Sequence, residues 1–304
     1  PLGSGECYTM TVQENGIYRL DHSFLTRSGI SASSVGAISS IRIFGNGGAM
    51  LPENIADPRI DGLREIPRFV VDKNGNGTFD PDDYILFFAR GPKGWKYNAV
   101  SKTFFHWINY YTDSNVYFMT FGGGAGMEMD SLTSVPSANV YQPGDFQGML
   151  YVEEERSNLL SSGRQWYGQL FDSETKTGVY SNLLPGYVPT KPVTYRITVL
   201  ARSPQSGSFL VQENGENLGS PIFTGGINVS SIEIEYAYQS PIMTFSRTGS
   251  LPGDRSVVRL TFDNTGPGAR GWLNWLEILY RRRFEAVNDY LHFSSPDTSA
   301  VVRY

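Results

Sequence analysis

A single cysteine, Cys7, stands in 304 residues. That excludes an internal disulfide framework and a cysteine-rich metal site, and it leaves the redox compartment unreadable. Histidine is almost as scarce. His22, His106 and His292 stand in unrelated contexts, and no signature surrounds the cysteine, so a thiolate nucleophile with an imidazole base finds no support. Charged residues make up 18% against a usual quarter, and the balance is a net charge of -5. The compact basic run is Arg281-Arg282-Arg283 alone. No nucleic-acid partner is expected, because neutralising a phosphate backbone takes a clustered Lys/Arg surface. No run reaches the ~18 consecutive apolar residues that a membrane-spanning helix needs.

What the chain has in abundance is aromatic. Tyr and Phe occur 18 times each, and apolar residues make up 40% of the chain. That mixture favours sheet. Short runs rich in aromatic and β-branched residues recur between Gly, Asn, Asp and Pro clusters: 16–20, 39–45, 68–71, 84–89 and 116–121. One short helix is expected over 21–29, capped by Asp21 and closed by Gly29. The glycine-rich 122–126 and the Ser/Pro stretch 131–145 carry no periodicity and mark a domain boundary. Beyond it the runs lengthen. Residues 193–203 alternate as a half-buried strand, and 207–220 read as a hairpin around Asn214-Gly215. Residues 256–264 form another run, and 271–284 read as a central strand. Strict alternation there puts Trp272, Asn274, Leu276 and Ile278 on one face and Leu273, Trp275, Glu277 and Leu279 on the other. The expected fold is all-β with little helix: two β-sandwich domains, over 5–140 and 141–284, the second jelly-roll-like. Residues 1–4, "PLGS", resemble the remnant of a removed tag, and 285–304 read as the start of a segment leading to a further domain.

The densest chemistry lies in "DKNGNGTFDPDD", between two strand-like runs. With Asp72 as position 1, Asn74, Asn76, Thr78, Asp80 and Asp83 fall at positions 3, 5, 7, 9 and 12, with Gly77 at the sharp turn. That is the spacing at which hard oxygens converge on a calcium ion. Position 12 carries Asp rather than the longer Glu, and strands rather than helices flank the loop, so it resembles the loops of dockerins more than those of helical sensors. A bound Ca2+ is expected as a structural clip, not a catalyst. The bland alternative is a solvated hairpin whose Asp and Asn side chains cap their own backbone. "EEER" at 153–156 reads as a charged outer face, since adjacent glutamates alternate across a strand. Trp166, Tyr167, Trp272 and Trp275 raise the question of a sugar-stacking surface, against the reading that such rings are core.

Several long phrases together resemble the N-terminal region of type IX secretion sortases, a gingipain-like cysteine peptidase family. They include "ENGIYRLDHSFLTRSGI" (14–30), "IRIFGNGGAMLPEN" (41–54), "DGLREIPRFVVDKNGNGTFDPDDYILFFARGPKGW" (61–95), "FFHWINYYTDSNVYFMTF" (104–121), "NLLSSGRQWYGQLF" (158–171), "PVTYRITVLARS" (192–203) and "GWLNWLEILYRRRF" (271–284). The resemblance implies a secreted protein of the Bacteroidetes cell surface and outer membrane. Its peptidase domain follows this region, removes C-terminal secretion signals from cargo, and attaches the cargo to surface lipopolysaccharide. The family's catalytic His and Cys lie in that later domain, so no catalytic residue is carried over and this region is expected not to be an enzyme. Implied partners are the chain's own C-terminal peptidase domain, outer-membrane proteins of the secretion system and cargo proteins. Arg164, with Trp166 and Tyr167, is the expected contact, because a planar guanidinium beside rings suits carboxylate binding or stacking. A carbohydrate-binding or adhesive β-sandwich module is the alternative function.

Overall fold

The computed structural model describes residues 6–131, 142–159, 165–230 and 236–294. It divides into two units, Pro1–Ser134 and Val135–Tyr304, and is built almost wholly from antiparallel sheet. Among the described residues, no helix is long and apolar enough to cross a membrane.

In the first unit β1 (Cys7–Val12), β2 (Gly16–Asp21) and the short helix α1 (His22–Arg27) are followed by β3 (Arg42–Gly45), β4 (Arg64–Ile66), β5 (Arg68–Val71) and β6 (Tyr84–Ala89). A hairpin of β7 (Lys93–Asn98) and β8 (Thr103–Ile108) precedes β9 (Asn115–Thr120). One sheet has the order β1-β9-β3-β4 and a second β2-β6-β5. Alternate residues of both turn into one core: Val12, Ile43, Tyr117 and Met119 from the first, Leu20, Ile85, Phe87 and Ala89 from the second, with Leu25 of α1. The Asp21 carboxylate caps α1 by accepting the Phe24 amide at 2.8 Å, and Gly29 takes the left-handed turn at φ 77°.

The strand expected over 39–45 begins only at Arg42. Ile38–Ser40 instead form a 3₁₀ turn in which the Ser40 hydroxyl donates to the Ala37 carbonyl at 2.7 Å. A serine that bonds its own backbone offers the chain an alternative to the ladder. Arg42 then donates to Glu65 across β3 and β4, from Nε at 3.2 Å and from the terminal nitrogen at 2.5 Å, and the Met127 amide donates to the same carboxylate at 2.7 Å. These bonds, the Arg42 one first, hold the Glu65 carboxyl below its ordinary 4.5. A depressed carboxyl contributes stability above its unfolded value that is lost as pH falls through the folded one. Melts between neutral pH and pH 3 are therefore expected to fall more steeply in wild type than in Glu65→Gln, the difference confined to the range below about pH 5.

The second unit runs β10 (Asp145–Glu153), β11 (Leu170–Phe171), β12 (Thr177–Leu183), β13 (Val193–Arg202), β14 (Gly207–Glu213), β15 (Glu216–Asn217), β16 (Ile222–Thr224), β17 (Tyr238–Gln239), β18 (Met243–Arg247), β19 (Arg255–Asp263) and β20 (Arg270–Arg283). Without the short β11, β15 and β17, the order is β10-β20-β13-β18 in one sheet and β12-β19-β14-β16 in the other. First, eighth, third and sixth strands face second, seventh, fourth and fifth, which is jelly-roll order. Their shared core holds Tyr195, Ile197 and Val199 against Phe209, Val211, Val258 and Leu260. Asn214 and Gly215 both take positive φ, 47° and 88°, and close the β14–β15 hairpin as expected. Glu213, fully buried, pairs with Arg247 of the opposite sheet.

β20 is central, between β10 and β13, but its faces differ from strict alternation. Thr198 lies opposite Trp275 and Val199 opposite Leu273, so Asn274 is an extra, bulged residue. The bulge resets the pleat. Leu273, Leu276, Ile278 and Tyr280 all face the jelly-roll core, while Trp272 joins Tyr167 and Leu200 in a separate cluster. After Arg283 the chain turns back through Asn288 and Asp289, at φ 52° and 60°, and the Phe293 ring meets Phe146 and Phe284 at 6.1 and 5.5 Å.

Candidate metal loop and interface residues

Val71 and Tyr84 are cross-strand partners, so residues 72–83 leave β5 and return into β6 with Asp72 and Asp83 at the two feet. The loop closes on itself. The two Asp72 oxygens accept the Gly75 amide at 2.7 Å and the Gly77 amide at 2.8 Å, which the left-handed φ of 71° and 77° at those glycines makes reachable. Asn74 Oδ1 accepts the Asn76 amide at 3.1 Å, and Asn76 Oδ1 accepts the Thr78 amide at 2.7 Å. Both side-chain amides then donate to Asp80 Oδ2, at 2.7 and 2.8 Å, and these bonds hold the Asp80 carboxyl below its ordinary range. Asp83 is fully buried, and its oxygens accept the Lys73 amide at 2.7 Å and the Asp80 amide at 2.8 Å.

Two features of this loop were not legible beforehand. The Gly77 carbonyl accepts the Ile38 amide and the Gly36 carbonyl accepts the Phe79 amide, both at 3.0 Å, so the loop is laced to the turn before β3. Phe79, 4% exposed, drops into the core of the first unit. A lone phenylalanine inside a polar run was the available signal for that anchor.

The donor chemistry suits a hard cation: carboxylates from Asp72, Asp80 and Asp83, amide oxygens from Asn74 and Asn76, and a carbonyl at Thr78. Among the described residues, no three His, Cys, Asp or Glu side chains come together as a metal cluster. An ion at the centre would therefore rely on the Asn and Thr oxygens, and it would replace the two amide bonds to Asp80.

Of the expected interface residues, Arg164 lies outside the described residues. Trp166 is 38% exposed, whereas Tyr167 is 7% exposed, packs with Leu200 and Trp272, and donates its hydroxyl to Gln165 at 3.2 Å. With Tyr167 and Trp272 buried, two of the four rings considered for sugar stacking are core. Cys7 is exposed on β1. His22 opens α1 against Phe79, and His106 lies on β8 against Trp95.

Two units of packed antiparallel sheets, the first carrying a strand-to-strand oxygen-lined loop, place the chain among all-β proteins of β-sandwich type. Among solved structures it resembles dimeric latent PorU from Porphyromonas gingivalis, with a TM-score of 0.72 and 23% identity over 92% of this chain. The fold is therefore PorU-like, and the chain spans about a quarter of that protein's length, 25%. A xylanase CBM36-1 domain from the hindgut metagenome of Trinervitermes trinervoides matches 43% of this chain and 95% of its own at 8% identity, but its TM-score of 0.24 carries no argument. The same holds for PNGase F, a glycosylasparaginase from Flavobacterium meningosepticum, at 0.28, with 10% identity over 90% of this chain and 96% of its own. No protein-family model and no curated protein sequence matches.

Proposed function

We propose that this chain is a non-catalytic scaffold region of a PorU-like sortase, a secreted protein that works at the cell surface or outer membrane. The observation that carries the reading is the PorU-like fold over 92% of the chain, joined to the ordered phrases of sequence that resemble the same family. In this reading the whole protein removes C-terminal secretion signals from cargo and attaches the cargo to lipopolysaccharide. The region described here positions the peptidase and meets outer-membrane partners and cargo. Loop 72–83 holds a structural Ca2+ that clips β5 to β6.

The test is a turnover assay with a fluorogenic peptide that carries a cargo secretion signal, together with sedimentation of this chain mixed with the purified peptidase domain of the same protein. No cleavage by the chain alone and a one-to-one complex with the peptidase domain are expected. Cleavage that disappears in Cys7→Ala, or the absence of any complex, overturns the reading.

A further inference from the structure

β12 is an edge strand: among the described residues its one ladder partner is β19. Which backbone groups face that side follows from the register. The Phe262 amide donates to the Lys176 carbonyl and the Leu184 amide donates to the Asp254 carbonyl, both at 2.8 Å, with Thr177 opposite Thr261. Even-numbered residues therefore bond to β19, and the N–H and C=O groups of Thr177, Val179, Ser181 and Leu183 point outward. Gln169 Nε2 closes the Thr177 end, donating to its carbonyl at 3.2 Å. Among the described residues, the backbone of Val179, Ser181 and Leu183 has no partner on that side, and all three residues are exposed.

Natural edge strands are blunted by lysine, proline, bulges or shortness. β12 has none of these within Thr177–Leu183, a regular run of seven residues without charge or proline. Its outward side chains include Val179 at 52% and Leu183 at 45% exposure. A buried polar group sits on the same strand: Tyr180 is 7% exposed, and its hydroxyl has no hydrogen-bond partner among the described residues.

The charge beside the edge selects the occupant. Across the outer face Arg259 lies opposite Val179 and Arg255 opposite Leu183, both exposed, and Lys176 precedes the strand. Arg255 reaches over β12 to donate to Ser181 Oγ at 3.3 Å. Among the described residues, none of the three cations has a carboxylate partner. A second copy paired edge to edge would bring two such cationic rows onto one face.

We propose that the β12 edge is a strand-addition site for an extended, acidic peptide segment of another polypeptide. The segment's backbone completes the ladder to Val179, Ser181 and Leu183, its alternate apolar side chains lie beside Val179 and Leu183, and a carboxylate opposite Ser181 meets Arg255. This site does not depend on the sortase reading.

The test is fluorescence anisotropy with a labelled peptide, Thr-Val-Thr-Glu-Thr-Val-Thr, and its Lys counterpart, titrated with the full chain. Saturable binding of the Glu peptide is expected, at least tenfold tighter than the Lys peptide at low salt. Ser181→Pro removes one outward N–H without touching the β19 ladder, and it is expected to weaken binding tenfold or more. Val179→Pro, an independent edge block that removes the next outward N–H and adds no charge, is expected to do the same, and Arg255→Glu to reverse the preference between peptides. No saturation at concentrations near 1 mM, equal binding of both peptides, or indifference to both edge variants overturns the proposal. So does concentration-dependent self-association that Ser181→Pro abolishes, which would make the occupant a second copy.

Discussion

Replacing Arg68 by methionine is expected to destabilise the first unit by about 3–5 kcal/mol, the cost of breaking a buried charged network from one side. The side chain is fully buried, yet it is no misplaced charge. Its Nε donates to the Ile41 carbonyl and one terminal nitrogen to the Ser39 carbonyl, both at 2.5 Å. The other terminal nitrogen lies 3.7 Å from the Glu128 carboxylate, whose side chain is 67% exposed. The Arg68 backbone adds a clasp of its own: its amide donates to Met127 at 3.0 Å, and its carbonyl accepts from Met129 at 2.9 Å. One residue of β5 thus holds the turn before β3 and the segment after β9. Gly126 is part of the fit, because a Cβ there would come within 2.7 Å of the Ile41 carbonyl. Methionine fills the stem's volume but leaves the Ser39 and Ile41 carbonyls buried without a donor. Burial pushes the guanidinium's pKa down, opposed by Glu128, but the charge at neutral pH is not in doubt. Glu128→Gln should cost less than about 1 kcal/mol, as exposed ion-pair partners do. Urea melts of both variants decide the matter. Equal losses would mean that the ion pair, and not the carbonyl clasp, is what Arg68 contributes.

Arg68 also marks the limit of what the sequence made legible. Alternating aromatic and β-branched residues reveal β2, β5, β6 and β9, because a half-buried strand must repeat every second residue. β13 shows the same period but is not half-buried: it lies inside its sheet with both faces covered, and the face that carries Arg196 and Thr198 is buried as well, Arg196 paired with Glu277. Asp21 and Gly29 revealed α1, since both act within a few residues of themselves. The bonds from Arg68 reach 27 and 29 residues back along the chain, and nothing local announces them. The β20 faces depart from strict alternation for a similar reason. Asn274 is bulged because β13 runs opposite it, and a run read by itself keeps its period through the very residue at which the sheet breaks it. In the loop, spacing revealed which residues carry oxygens. It was silent on Asp83 being buried to its last atom and on the lacing to Gly36 and Ile38, because both depend on where the turn before β3 comes to rest.

That burial makes Asp83→Ala the second large effect expected, a loss of about 2–5 kcal/mol that persists in chelator. The carboxylate is the acceptor for two amides, those of Lys73 and Asp80, at the point where β5 leaves and β6 begins. Removing it strands two donors, each worth about 1–3 kcal/mol when buried without a partner. Asp72→Ala is expected to behave differently. Its carboxylate serves the exposed tip, where water replaces a lost acceptor, so its cost without metal is small. Calcium separates the two variants. If the loop binds the ion, wild type gains about 2.7 kcal/mol at 100 times the dissociation constant, since an ion that binds only the folded chain stabilises it by mass action. The ion must displace the Asn74 and Asn76 bonds to Asp80, so the gain is expected to vanish in Asp72→Ala and to shrink in Asp80→Asn. Thermal melts of chelator-stripped protein, with and without added calcium, read both effects at once. A melting point that calcium leaves unmoved in wild type, beside a full loss in Asp83→Ala, would establish the loop as a self-capped hairpin pinned by a buried carboxylate. A calcium-dependent rise that Asp72→Ala abolishes would establish it as an ion clip built on the same pin.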